Sequence, residues 1–93
     1  MFTLTVELFG LPANLISLRT VRVTLDTGAG IPELVSALRR EIPAMEGTVI
    51  PPGKNRLIEG YAFNINGSFY TGKEKVRLKD SDTVRLLALA TGG

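Results

Sequence analysis

One stretch of this chain carries an apolar stripe at helical spacing, and segments that alternate with period two enclose it. That arrangement limits the fold more than any other feature. In Phe2-Thr3-Leu4-Thr5-Val6-Glu7-Leu8-Phe9, the residues Phe2, Leu4, Val6 and Leu8 share one face. Thr3, Thr5, Glu7 and Phe9 share the other, which is the pattern of a half-buried strand. Residues 20–26 repeat it with Val21, Val23 and Leu25 inward. The turn residues of Gly10-Leu11-Pro12-Ala13-Asn14 lie between, so a hairpin is predicted. Asp26-Thr27-Gly28-Ala29-Gly30 then breaks the strand. Pro32 suits a first helical turn, and Glu33 favours the positive end of a helix dipole. Ile31, Leu34, Val35, Leu38 and Ile42 form the stripe, and Pro43 disfavours helix at Ile42. A helix over 31–41 follows.

The second half is more broken. Residues 43–60 hold three prolines and three glycines and no period, which predicts a surface loop with one short turn at most. Residues 61–66 alternate, and Asn66-Gly67 signals a tight turn. Residues 72–79 are polar, with a short strand expected near Val76. Lys79-Asp80-Ser81-Asp82 reads as a turn, and residues 83–89 as the last strand. The expectation is an α+β fold: one main helix across a mixed sheet of four to five strands, in the order β-β-α-β-β-β. At 93 residues the chain fits a single domain, 1–93, with a flexible tail at 90–93.

Composition mostly excludes. There is no Cys and no His, which removes disulfides, thiol catalysis, iron–sulfur ligation and most zinc and haem sites. The commonest general base goes with them. A net charge of +2 gives no reason to expect nucleic acid as a partner. No apolar run approaches the ~20 residues that span a bilayer. Met1-Phe2-Thr3-Leu4 has neither the basic nor the apolar region of a signal peptide, so no membrane association and a cytoplasmic setting are expected.

Few groups can carry chemistry. Glu33, Glu41, Asp80 and Asp82 are scattered carboxylates. Asp80-Ser81-Asp82 lacks the ligand spacing of a calcium loop and reads as an Asx turn. Gly28-Ala29-Gly30 has no following Gly-Lys-Ser/Thr to make a phosphate loop. Lys73, Lys75, Arg77 and Lys79 stand two residues apart. They read either as a solvated edge that resists pairing or as a patch facing an anion. No catalytic or metal-binding residue is expected.

The C-terminal end differs. An apolar strand runs into Thr91-Gly92-Gly93, and two residues without side chains can thread a narrow channel in another protein. The Gly93 carboxylate is the reactive group there. It becomes an acyl donor once adenylation gives its oxygen a good leaving group. Strand parity adds a surface. With Val84, Leu86 and Ala88 facing the helix, Leu87 and Leu89 face outward, and Phe9 does so on the first strand. First and last strands are expected as neighbours, so Phe9, Leu87 and Leu89 make a candidate partner interface at the root of the tail. The alternative is that the 43–60 loop covers them.

Val6-Glu7-Leu8-Phe9-Gly10, Pro32-Glu33-Leu34-Val35, Phe63-Asn64-Ile65-Asn66-Gly67, Leu78-Lys79-Asp80-Ser81-Asp82-Thr83-Val84 and the terminal Thr91-Gly92-Gly93 together resemble the MoaD/ThiS family of sulfur carriers. Ile65 replaces the family's usual Val, and Ser81 its usual Gly. The resemblance spans nearly the whole chain and implies the ubiquitin-like β-grasp fold. It further implies a carrier with no bound cofactor and no catalysis of its own. A ubiquitin-activating-type adenylyltransferase would use ATP to adenylate Gly93, and sulfur from a persulfide donor would then give a thiocarboxylate. Thr91, Gly92 and Gly93 would enter the large subunit of molybdopterin synthase, or another sulfur-accepting synthase. The chain's length and its 43–60 loop look more like MoaD, the small subunit of molybdopterin synthase. Alternatives are a ThiS-like carrier for the thiazole of thiamin, or a ubiquitin-like modifier conjugated through Gly93.

Overall fold

The computed structural model describes residues 1–12, 19–72 and 74–89. Its strands are β1 (Phe2–Phe9), β2 (Thr20–Leu25), β3 (Tyr61–Ile65), β4 (Ser68–Tyr70) and β5 (Val84–Ala88). The helix α1 (Ile31–Glu41) follows β2, and a short 3₁₀ turn occupies Pro43–Met45. The five strands form one sheet in the order β2-β1-β5-β3-β4. β1 pairs antiparallel with β2 and parallel with β5, so first and last strands are neighbours as the sequence predicts. β3 is antiparallel to both β5 and β4. This is an α+β, ubiquitin-like β-grasp arrangement with α1 on one face of a mixed sheet.

The register explains the core. Val6 stands opposite both Val21 and Val84, and Leu8 opposite Leu86, so inward residues of three strands fall in rows. Against those rows α1 lays Ile31, Leu34, Val35 and Leu38, all buried. Each such side chain contributes roughly 1.5–3 kcal/mol by leaving water. The helix begins where the Glu33 carboxylate accepts the Gly30 N–H at 2.7 Å. It ends where the Ile42 N–H donates to the Leu38 carbonyl at 2.8 Å, just before Pro43.

Two expectations are corrected. Residues 43–60 are not only a surface loop. Met45, Val49, Ile50 and Leu57 are buried and complete the core. The loop gathers on the Met45 carbonyl, which accepts the N–H groups of Thr48, Val49 and Ile50 at 3.1, 2.9 and 2.9 Å. Arg39 ties it to the helix: the guanidinium donates to the Lys54 carbonyl and to Asn55 Oδ1, and its Nε stands 3.0 Å from Glu46 Oε2. The short strand is not near Val76 either. It is β4, straight after the Asn66-Gly67 turn, with Ser68 opposite Ile65. Asn66 (φ 54°) and Gly67 (φ 92°) both take left-handed backbone, so the two-residue turn returns the chain at once.

Candidate docking face and tail root

Among the described residues α1 covers one side of the sheet and no helix covers the outer side. Alternation sorts the residues of that outer side. One row across neighbouring strands is Phe9, Leu87 and Ala62. The next is Glu7, Arg85, Asn64 and Phe69. Within it, Arg85 Nε lies 3.5 Å from Glu7 Oε1, an exposed pair of small energetic weight. On β1 and β2 the outer side carries Thr3, Thr5, Thr20, Arg22 and Thr24 instead. The outer face is therefore polar on β2 and mixed toward β5, β3 and β4, where Phe9, Leu87 and the buried Ala62 make its apolar row.

The apolar row lies where the last strand ends. β5 sits between β1 and β3, held on both sides, and ends at Ala88. Beyond it the Leu89 N–H donates to the Gly60 carbonyl at 2.7 Å. β1 ends beside it: Gly10 has φ 68°, and a Cβ there would stand 3.5 Å from the Ala88 Cβ. Phe9 is 48% exposed and Leu89 40%, while Leu87 between them is half-buried. Residues 56–60 run beside Leu89, where Arg56, Gly60, Tyr61 and Thr71 help wall a cleft of about 420 Å³, yet Phe9 and Leu89 remain open. Thr91, Gly92 and Gly93 lie outside the described residues.

Sequence reasoning missed Phe69, which is 58% exposed on the same face. The signal was present. A two-residue turn at Asn66-Gly67 places Phe69 opposite Asn64, and Asn64 is outward by alternation from Phe63 and Ile65. The displaced short strand hid it.

The remaining candidates have structural work. Asp82 Oδ2 accepts the Lys79 N–H at 2.8 Å, and its Oδ1 accepts from Asn66 Nδ2 at 2.9 Å. Asn66 Oδ1 in turn accepts the Thr83 N–H at 2.9 Å. The Asp80-Ser81-Asp82 turn is thus stapled to the β3–β4 turn. Gly30 is needed because a Cβ would stand 2.8 Å from the Val76 carbonyl oxygen. Among the described residues no three His, Cys, Asp or Glu side chains gather to hold a metal. Lys75, Arg77 and Lys79 are exposed but lie in no strand, and Lys73 is outside the described residues. No helix among the described residues is long and apolar enough to cross a membrane.

Fold and outer face together define a small ubiquitin-like β-grasp protein. Its solved structural neighbours are MoaD/ThiS-like carriers and modifiers of that fold, in line with the resemblance read from the sequence. One is SAMP1 from Haloferax volcanii, 26% identical, with 98% of this chain and 99% of that one covered and a TM-score of 0.77. Another is a putative molybdopterin converting factor subunit 1 from Pyrococcus furiosus, at 18% identity, 97% and 100% coverage and a TM-score of 0.71. A third is a BexX/CysO complex from Amycolatopsis orientalis, at 19% identity, 97% and 99% coverage and a TM-score of 0.66. The two at 18% and 19% identity speak to fold alone. No protein-family model and no curated protein matches the chain.

Proposed function

We propose that this chain is a ubiquitin-like sulfur carrier whose reacting group is the Gly93 carboxylate. The observation that carries the reading is where the last strand ends. It sits inside the sheet and stops at Ala88, next to a partly exposed apolar row of Phe9 and Leu87 with Leu89 beyond it, and the sequence runs on from there to Thr91-Gly92-Gly93. Such a surface can hold a partner while the chain beyond it reaches an active site. At up to ~3.3–3.6 Å per residue, the four residues 90–93 reach about 14 Å.

The chemistry follows from the carboxylate. Its oxygen attacks the α-phosphate of ATP on an activating enzyme, and pyrophosphate leaves. The terminal sulfur of a persulfide then attacks the acyl carbon, and AMP leaves. A thiol cleaves the resulting S–S bond and becomes part of a disulfide, and the thiocarboxylate is released. Gly92 and Gly93 offer no side chain to obstruct the approach. The chain supplies the docking face and the acyl group; the adenylyltransferase, the persulfide donor and the sulfur acceptor supply the rest. Within this class the role of molybdopterin synthase small subunit is our preferred assignment. That assignment rests on the sequence resemblance; the molybdopterin converting factor and the BexX/CysO neighbours share the fold.

A second reading rests on the SAMP1 neighbour and on a second Haloferax volcanii structure named small archaeal modifier protein 1. In that reading the activated Gly93 acylates a lysine amine and forms an isopeptide bond. ATP–pyrophosphate exchange with the cognate activating enzyme tests the docking element that both readings share. Phe9→Asp and Leu87→Asp should each raise the apparent KM for the carrier about tenfold or more, as loss of an interface anchor does. Unchanged KM in both folded variants would remove the face from the account. Lysine adducts formed in preference to thiocarboxylate would select the modifier reading.

A further inference from the structure

Lys75, Arg77 and Lys79 lie outside the docking face. After β4 ends at Tyr70 the chain leaves the sheet and passes the segment that leads into α1. Leu78 donates its N–H to the Ala29 carbonyl at 2.8 Å. The Val76 carbonyl oxygen lies against Gly30, 2.8 Å from where a Cβ would stand. Side chains alternate here: Leu78 is buried and Val76 half-buried, while Lys75, Arg77 and Lys79 are exposed.

That alternation, with the two even-numbered residues turned toward residues 29–30, is the signature of an extended chain. In such a chain the N–H and C=O of one residue point to one side, and those of the next to the other. The main-chain groups of Lys75 and Arg77 therefore point away from residues 29–30. Among the described residues, no hydrogen bond engages the N–H or C=O of either. Edges of this kind are templates for another strand, and this one carries a cation at every second position.

We propose that residues 75–77 are a docking edge for an acidic, extended peptide segment of a partner protein, added as a strand with carboxylates at alternate positions. Main-chain pairing would supply affinity, and the side chains the selection. Carboxylates spaced two residues apart would stand opposite Lys75 and Arg77, within the roughly 4.5–5.5 Å that separates cross-strand Cβ atoms. A nucleic acid strand fits less well. Its phosphates would meet the cations, but they donate nothing to the free carbonyls of Lys75 and Arg77. The proposal stands apart from the chemistry assigned to Gly93.

A fluorescein-labelled octapeptide alternating Glu and Val, titrated into the full chain at low salt, tests this. Saturable binding is expected, with the Lys75 and Arg77 amides gaining protection from hydrogen exchange. Lys75→Glu/Arg77→Glu should weaken binding by about tenfold or more, given two reversed charge pairs. Lys75→Gln/Arg77→Gln should weaken it by less and decides the matter if the charge-reversed chain does not fold. No saturable binding to the unaltered chain would overturn the proposal. So would equal binding by the folded variants, binding without amide protection, or tighter binding of a single-stranded oligouridylate at the same site.

Discussion

Arg39 shows how much a single side chain can organise. It joins α1 to a distant segment, through the Lys54 carbonyl, Asn55 and Glu46. Hydrogen bonds to charged groups contribute about 1.5–3 kcal/mol, less where solvent reaches them. Arg39→Met keeps the apolar stem and should cost about 1–2 kcal/mol, read as a lower urea midpoint at unchanged slope. A change below roughly 0.5 kcal/mol would mean the buried residues hold the loop unaided. Nothing in the sequence pairs Arg39 with residues 46–55, because the contact depends on where an aperiodic loop returns. The outward placement of Phe9 was legible, by contrast, since strand parity needs only counting. Phe69 was legible in principle and was lost with the misplaced strand.

At the scale of elements, the turn at Asn66-Gly67 and the turn at residues 80–82 behave as one unit. Asn66 combines a left-handed backbone with side-chain bonds to Asp82 and the Thr83 amide. Asn66→Gly preserves the backbone preference and loses the bonds, and should cost about 1 kcal/mol. Asn66→Ala loses both and should cost about 2–3 kcal/mol. Urea unfolding measures the difference, and the Thr83 amide should exchange faster in both variants. The 43–60 segment makes a second unit, with its own share of the core. Ile50→Ala should cost about 2–5 kcal/mol, the range for emptying a buried aliphatic site. A thermal midpoint within about 2 °C of the parent would contradict its place in the core. β1, β2, α1 and β5 were readable because their periods are clean. The 43–60 segment was not, since Met45, Val49, Ile50 and Leu57 follow no period and are buried by tertiary packing alone.

At the scale of the molecule, core and tail have separate tasks. Among the described residues, buried rows from β1, β2, β3 and β5 close against α1 and the 43–60 segment, and Gly93 lies outside those residues. Deleting Gly93 should therefore leave the thermal midpoint within about 1 °C of the parent, since surface changes away from packed features stay within about 0.5 kcal/mol. The same deletion should abolish activation. The most direct measurement is intact mass after incubation with the cognate activating enzyme, ATP and a persulfide donor. The full chain should gain the mass difference between one sulfur and one oxygen, located at Gly93, and the chain lacking Gly93 should gain nothing. An unchanged mass for the full chain, with an enzyme shown to be competent on another carrier, would contradict the assignment.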